Sequence, residues 1–216
     1  FDPEELTTAV ATRARAENIL AEYRRLAGRR TLAFCCSVVH ADFMATYFRA
    51  QGIATAAVHS APSSAPRAQS LEDLASGTIS VVFAVDILNE GVDIPNVDTV
   101  MLLRPTESNI LWTQQVGRGL RRAEGKSHLT IIDYIGNHRS FLNKVRSVLQ
   151  IGSGVTELRD AVAQLRVGDF ELPPGCEVTY ELEAIEILEG LLPPARTNAL
   201  HWYYQDYKDR IGARPT

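Results

Sequence analysis

Two arginines one helical turn apart could bind phosphate groups. Arg118 and Arg121 lie three positions apart in the run Gln114–Arg122, so on a helix their side chains share one face. Two guanidinium groups on one face repel each other unless a polyanion binds both, and phosphoryl oxygens match the planar donor fork of arginine. Gly117 beside them would let a ligand approach the backbone closely. The competing interpretation is a solvated basic end of a helix.

A second polar segment follows an apolar, strand-like run. A carboxylate that follows the end of a strand is well suited to bind a ribose hydroxyl. The alternative is a capped turn, because Asp and Asn side chains also satisfy the backbone of turns. The run 81–85 leads into a loop in which polar side chains surround Gly91: Asp86, Asn89, Glu90 and Asp93.

The tripeptide Gly125-Lys126-Ser127 is similar to the tail of a phosphate-binding P-loop but does not complete one. The pattern requires a glycine five residues before Gly125, where the sequence has Leu120. Ser127 also leads into an apolar strand-like run, whereas a P-loop opens a helix. We interpret the tripeptide as a surface turn. The sequence therefore offers no P-loop lysine and no paired acidic residues of the kind that hold the phosphates and magnesium in nucleotide hydrolases.

Charge is concentrated in one part of the chain. The 216 residues carry a net charge of −4, yet the segment 104–146 has eight Lys and Arg and only three Asp and Glu. This distribution favours a localised anion site over indiscriminate nucleic-acid binding, with a chance cluster as the alternative. No apolar stretch approaches the length of a membrane span and no leader opens the sequence, so we expect a cytoplasmic protein without membrane contact. The first residue is Phe1, from which we expect a piece of a longer protein.

The cysteines do not form a metal or disulfide framework. Cys35 and Cys36 are adjacent in an apolar run, Cys176 is far away, and no CxxC pair exists. We expect three reduced, buried or half-buried thiols and no metal site.

Apolar runs alternate with amphipathic segments over most of the chain. This alternation indicates an α/β fold in which helices cover both faces of a parallel sheet. Ligands of such sheets bind at the carboxyl ends of the strands, where the polar loops 59–66, 86–95 and 104–109 would lie. The predicted strands are 31–37, 54–59, 79–85, 99–103 and 129–134, and the predicted helices are 3–27 (capped by Asp2), 41–50, 67–75, 110–120 and 141–150.

The remaining chain has a different character. We predict three regions: a leading helix in 1–28 that packs on the lobe, the α/β lobe in 29–150, and a smaller, mostly helical extension in 151–216. Within the extension, helices are expected at 155–165, 184–192 and 195–211, and a strand at 176–182.

Taken in order, three stretches resemble the second, RecA-like motor lobe of superfamily 2 helicases of the DEAD/DEAH type. Residues 31–41 resemble helicase motif IV, residues 81–95 resemble motif V, and residues 114–121 match the Q-x-x-G-R-x-x-R of motif VI. Asn89-Glu90-Gly91 and the run 104–108 are similar to the bacterial branch related to restriction enzymes. Val85 and Glu90 stand where many RNA helicases have Thr and Arg, which favours DNA over RNA.

The resemblance implies a site shared with a partner lobe. ATP would lie between this lobe and an N-terminal motor lobe of the same protein, which would supply the Mg²⁺ ligands. Arg121 would act as the arginine finger, Arg118 as a second phosphate contact, and Gln114 would orient the nucleotide or the attacking water. The ATP site would also include Gly91, Asp93 and Gly117, and the nucleic-acid contacts would be Ser37, His40, His59, Asn89 and Thr106.

The function that the resemblance implies is one half of an ATP-dependent DNA helicase or translocase, inactive as an ATPase on its own. Two alternatives stay open at this point. One is a self-contained doubly wound enzyme that uses Asp86 or Asp93 in catalysis. The other is a binding or regulatory module, derived from a motor lobe, that recognises DNA or a partner without turnover. Roles in repair and in restriction are both compatible with these motifs.

Overall fold

A computed structural model describes residues 12–85, 97–104, 126–134, 140–149, 151–152, 154–170, 172 and 177–192. The chain divides into two compact units, the first with α1–α3 and β1–β5, the second with α4–α6. The predicted helices 110–120 and 195–211 lie outside the described residues. The elements are α1 (Arg13–Leu26), β1 (Thr31–Phe34), α2 (Val38–Ala50), β2 (Thr55–Val58), α3 (Arg67–Ser76), β3 (Val81–Ala84), β4 (Thr99–Leu102), β5 (Thr130–Asp133), α4 (Ser140–Leu149), α5 (Val155–Val167) and α6 (Leu182–Leu191).

The first unit is built on a parallel sheet with the strand order β2-β3-β1-β4-β5. All four neighbouring pairs are parallel, and their registers place the last residues of the strands side by side, as in the pairing of Phe34 with both Ala84 and Leu102. The loops that follow the strands therefore begin along one edge of the sheet, the carboxyl edge. The predicted α/β fold with a parallel sheet is confirmed.

Helices cover both faces of this sheet because successive strand side chains point to opposite sides. Ala33 packs with Ile19 of α1 and Phe48 of α2 in one buried cluster. Leu32 and Phe34, its neighbours in β1, belong to a second cluster that includes Leu74 of α3. All four residues of β1, β3 and β4 are buried, which explains why these strands are continuous apolar runs in the sequence.

Helix α1 begins later than the sequence predicts. Thr12 has extended dihedrals and caps the helix, its Oγ1 accepting a hydrogen bond from the backbone N–H of Arg15 at 3.3 Å. A single continuous helix over 3–27 is therefore wrong, because an extended residue at 12 interrupts the helical hydrogen bonding. The predicted cap Asp2 lies outside the described residues.

The amino edge of the sheet is fixed by one carboxylate. Asp98 accepts hydrogen bonds from the backbone N–H of Arg29 at 2.8 Å and of Arg30 at 3.2 Å, and the N–H of Gly28 donates to Thr99 Oγ1 at 2.8 Å. These bonds attach the segment between α1 and β1 to the start of β4. They set where β1 begins and so where its carboxyl end lies.

The second unit is a separate helical cluster. Its buried side chains come from all three helices, for example Phe141 of α4, Leu158 of α5 and Ile185 of α6. Helix α4 packs in this cluster, although the sequence assigns it to a lobe that ends at residue 150; that domain boundary stays a prediction. The strand predicted at 176–182 is wrong: the described residues 177–181 form no strand, and residues from Leu182 onward form a helix with Ile185 and Leu188 on its buried side.

Across the described parts of both units, no helix has the length and apolar composition needed to cross a bilayer.

Candidate functional site at the carboxyl edge of the sheet

Three of the predicted site residues fall within the described residues, and all three lie at or beside the carboxyl edge. Ser37 and His40 follow β1, and His59 follows β2 directly. Since β3 lies between β2 and β1, His59 is two strands away from Ser37 along the edge. The other predicted site residues lie outside the described part of the chain: Asn89, Gly91, Asp93, Thr106, Gln114, Gly117, Arg118 and Arg121.

Ser37 is the N-cap of helix α2. Its backbone is extended, with φ −154° and ψ 165°, and its Oγ accepts a hydrogen bond from the N–H of His40 at 3.1 Å. This cap explains why the strand ends at Phe34 and the helix starts at Val38. The hydroxyl lies at the end of a helix where the partial charge is positive, an environment that favours an anionic ligand such as a phosphate.

His40 is a buried, neutral imidazole. Its Nδ1 accepts a hydrogen bond from the backbone N–H of Cys36 at 3.5 Å and lies 3.3 Å from Cys36 Sγ. Burial lowers the pKa of His40 to about 4, and the positive charge of Arg15 contributes to the same shift. The ring is therefore uncharged at neutral pH, and its proton is on Nε2, for which the described residues provide no hydrogen-bond partner.

His59 has a different environment, in which both ring nitrogens are engaged. Its Nδ1 accepts from the N–H of Ala61 at 3.3 Å, and its Nε2 lies 3.0 Å from Asp42 Oδ1. The His59 side chain is fully buried, while that of Asp42 is 41% exposed. The group that this corner presents to solvent is therefore a carboxylate, and the ring holds the carboxylate in place. A direct contact of His59 with nucleic acid stays a prediction.

Arg15 was missed by the sequence analysis. It lies in the first turn of α1. Burial lowers the pKa of its guanidinium group, and Cys36 and Tyr134 oppose that shift. Its Nε is buried and has no hydrogen-bond partner among the described residues. One signal was available: Arg15 lies four positions before Ile19, on the stripe that α1 buries, where a charged residue is unusual.

A second arginine lies at the same edge. Arg104 follows β4 and is partly buried. Burial raises the pKa of the nearby Cys35 thiol well above its usual value, and the charge of Arg104 opposes that shift. Neither Cys35, which is buried, nor Cys36, which is half-buried, forms a disulfide among the described residues. Within the described ranges, no three His, Cys, Asp or Glu side chains are grouped so as to hold a metal ion.

One protein family matches this chain. Residues 14–123 match the family described as helicase conserved C-terminal domain, and this match spans more than half of the chain. The chain belongs to this family. The resemblance to the second motor lobe of superfamily 2 helicases is thereby confirmed.

Individual proteins agree with this assignment. The chain is 33% identical over 136 residues to the ATP-dependent helicase IRC3 of Saccharomyces cerevisiae, a match that covers 63% of this chain and 20% of that protein. The chain thus spans about a fifth of the length of that relative.

Solved structures share the fold. A fragment of an HsdR subunit of a type I restriction enzyme from Vibrio vulnificus superposes with a TM-score of 0.50 at 28% identity, over 60% of this chain and 28% of that one. The E. coli DEAD-box protein SrmB, in complex with the regulator RraA, gives a TM-score of 0.51 at 17% identity, over 85% of this chain and 89% of that one.

Proposed function

We propose that this chain is the second motor lobe of an ATP-dependent DNA helicase or translocase. The observation that carries the proposal is the family match, because residues 14–123 include, in order, all three stretches that resemble motifs IV, V and VI. The helicase relative supports the use of ATP by the protein that contains this lobe. The parallel sheet supports a ligand site at its carboxyl edge.

In this proposal the lobe supplies arginines to a nucleotide bound mainly by the N-terminal lobe, together with Mg²⁺. Arg121 contacts the γ-phosphate and stabilises the charge that develops in the transition state, and Arg118 makes a second phosphate contact. Gln114 orients the nucleotide or the attacking water. In related hydrolases an arginine finger increases the rate by about 10³–10⁵-fold. Gly91, Asp93 and Gly117 border the nucleotide, and the lobe alone has negligible ATPase activity.

The nucleic-acid track in this proposal runs past the first turn of α2. Ser37 offers a hydroxyl at the positive end of that helix, where it accepts a hydrogen bond from the N–H of His40. Asn89, Thr106 and His59 remain proposed contacts further along the edge. Binding to backbone phosphates makes affinity dependent on salt and largely independent of sequence. The similarity to a fragment of a restriction-enzyme subunit, together with Val85 and Glu90, supports DNA over RNA.

The proposal is tested by DNA-stimulated ATP turnover in the longer protein that contains both lobes. We expect Arg121→Ala to lower turnover by about 10³-fold or more while ATP and DNA still bind. Arg13→Ala is the matched control, because Arg13 is exposed on α1 and its partner among the described residues is Glu17, on the same helix. If the Arg121 variant turns over ATP like the wild type, Arg121 is not the finger, and a module that binds DNA or a partner without turnover becomes the better account.

A further inference from the structure

Arg15 carries a partly buried positive charge for which the described residues offer no partner. Its side chain makes no hydrogen bond or ion pair within the described part of the chain, and its buried Nε–H has no acceptor. A buried donor without an acceptor is destabilising, and more so when it is charged. A bound ligand that supplies the acceptor is one reason for a protein to retain such a group.

The described groups around Arg15 do not neutralise its charge. His40 is uncharged at neutral pH because its pKa is about 4. Tyr134 is also uncharged, since burial raises the pKa of its phenol far above the physiological range. His40 adds a second buried donor without a partner, because its Nε2–H finds no acceptor among the described residues. The described surroundings thus provide positive charge and two buried N–H donors, and they supply no hydrogen-bond acceptor to either donor.

The location of Arg15 indicates which ligand this environment suits. Helix α1 ends near the amino edge of the sheet, where Gly28 is attached to Thr99, so its first turn lies toward the carboxyl edge. There, the hydroxyl of Tyr134, which follows β5, donates to the carbonyl oxygen of Ile19, one turn after Arg15, at 3.4 Å. Arg104 follows β4, the strand next to β5 along this edge. Two arginines therefore flank this half of the edge. The other half, at β2, presents the Asp42 carboxylate instead.

We propose that Arg15 binds a phosphoryl group at the carboxyl edge of the sheet, and that this group is a backbone phosphate of the nucleic acid. Guanidinium groups bind phosphate oxygens through two parallel hydrogen bonds. Such a contact neutralises the charge of Arg15 and gives its unused donors an acceptor. The phosphate lies next to the first turn of α2, so Arg15 extends the track beyond Ser37. This inference rests on the proposed function, and it assigns a contact to helix α1.

The first test measures affinity for a fluorescein-labelled oligo(dT) strand in the longer, two-lobe protein without nucleotide. Arg15→Met removes the charge and keeps an apolar stem of similar length. We expect about tenfold weaker binding at low salt and a slope of log affinity against log salt that is smaller by about 1. Arg15→Lys should restore most of the affinity, and Arg13→Met, a change at an exposed site on the same helix, should leave it unchanged.

The second test separates binding from a structural role. A buried, uncompensated charge destabilises the free protein, so Arg15→Met should raise the melting temperature of the 216-residue chain while it weakens DNA binding. A lower melting temperature would mean that Arg15 is paired within the chain, and the inference would be overturned. A changed KM for ATP with unchanged DNA affinity would assign the phosphoryl group to the nucleotide and would also overturn it. If the wild type itself does not bind DNA, the proposed function fails rather than this residue assignment.

Discussion

The buried imidazole of His59 donates from Nε2 to Oδ1 of Asp42 across 3.0 Å. His59 follows β2 and Asp42 belongs to α2, so this bond joins the helix to the loop after the strand. Because the other ring nitrogen is engaged by the N–H of Ala61, the Nε2–H depends on Asp42 for its acceptor. The pair therefore positions one end of the carboxyl edge.

Removing the carboxylate should destabilise the fold. In Asp42→Ala the Nε2–H of a buried ring loses its acceptor, and we expect the free energy of unfolding to fall by about 1–3 kcal/mol. Ser63→Ala is the control, because Ser63 donates to the other oxygen of Asp42 at an exposed position and leaves the His59 bond intact. Urea unfolding followed by circular dichroism measures both. Equal losses in the two variants would show that the His59–Asp42 bond does not stabilise the fold.

Stability should depend on pH through His40. Its pKa is about 4 in the folded protein against 6.5 for an unperturbed histidine, so between these two pH values the unfolded chain binds the additional proton. The stabilising contribution is complete above pH 6.5 and is lost as the pH falls toward 4. The difference amounts to roughly 3 kcal/mol at most. The measurement is the free energy of unfolding between pH 4 and pH 7.

The variant His40→Gln should flatten this part of the pH profile, because glutamine does not titrate. His128→Gln, at an exposed position in the residues before β5, is the matched control and should leave the profile unchanged. An identical pH profile for wild type and His40→Gln would contradict the assignment of a buried neutral imidazole.

All five strands of the sheet could be predicted from the sequence. The strands β1, β3 and β4 are fully buried and therefore form continuous apolar runs, and β2 and β5 keep part of that pattern. The observed ends of the strands differ from the predicted ones. The first strand is predicted over 31–37 and ends at Phe34, because the Ser37 cap begins α2 at Val38, three residues before the predicted start. The order of the strands in the sheet could not be predicted from the sequence. The alternation of apolar runs and helices indicates parallel pairing, whereas which strands are neighbours depends on packing.

The site was predicted in part, for a physical reason that Arg15 illustrates. Motif spacing located Ser37, His40 and His59 near one edge. It did not distinguish a ring with both nitrogens engaged, as in His59, from a ring with a free donor, as in His40. Arg15 was overlooked because arginines on helices are usually solvated. Its burial depends on how α1 packs against α2 and β5, which sequence periodicity does not specify.

Gly28 should not tolerate a side chain. A Cβ built at this position would lie 2.4 Å from Asp98 Oδ1, and the carboxylate is held by the N–H groups of Arg29 and Arg30. Gly28→Ala would push the carboxylate away and weaken those bonds, at a cost of about 1–3 kcal/mol in the free energy of unfolding. Gly190→Ala is the control: nothing lies within 4 Å of its Cβ position, and alanine within α6 should stabilise by about 0.5–1 kcal/mol. Chemical denaturation of both variants measures these changes. An unchanged free energy of unfolding in Gly28→Ala would mean that the Asp98 carboxylate can move without destabilising the fold.

Arg30 should stabilise α3 from outside that helix. Its Nε donates to the carbonyl oxygens of Leu74 at 3.2 Å and Ala75 at 3.0 Å, in the last turn of α3, where the carbonyl groups carry partial negative charge. In Arg30→Met these carbonyls lose a charged donor, and we expect a loss of about 1–2 kcal/mol in the free energy of unfolding. Arg29→Met provides the control, because the Arg29 backbone bond to Asp98 does not depend on its side chain. Hydrogen exchange of the amides in α3 adds a local measurement: protection should fall there in the Arg30 variant, and similar exchange in both variants would contradict a capping role for Arg30.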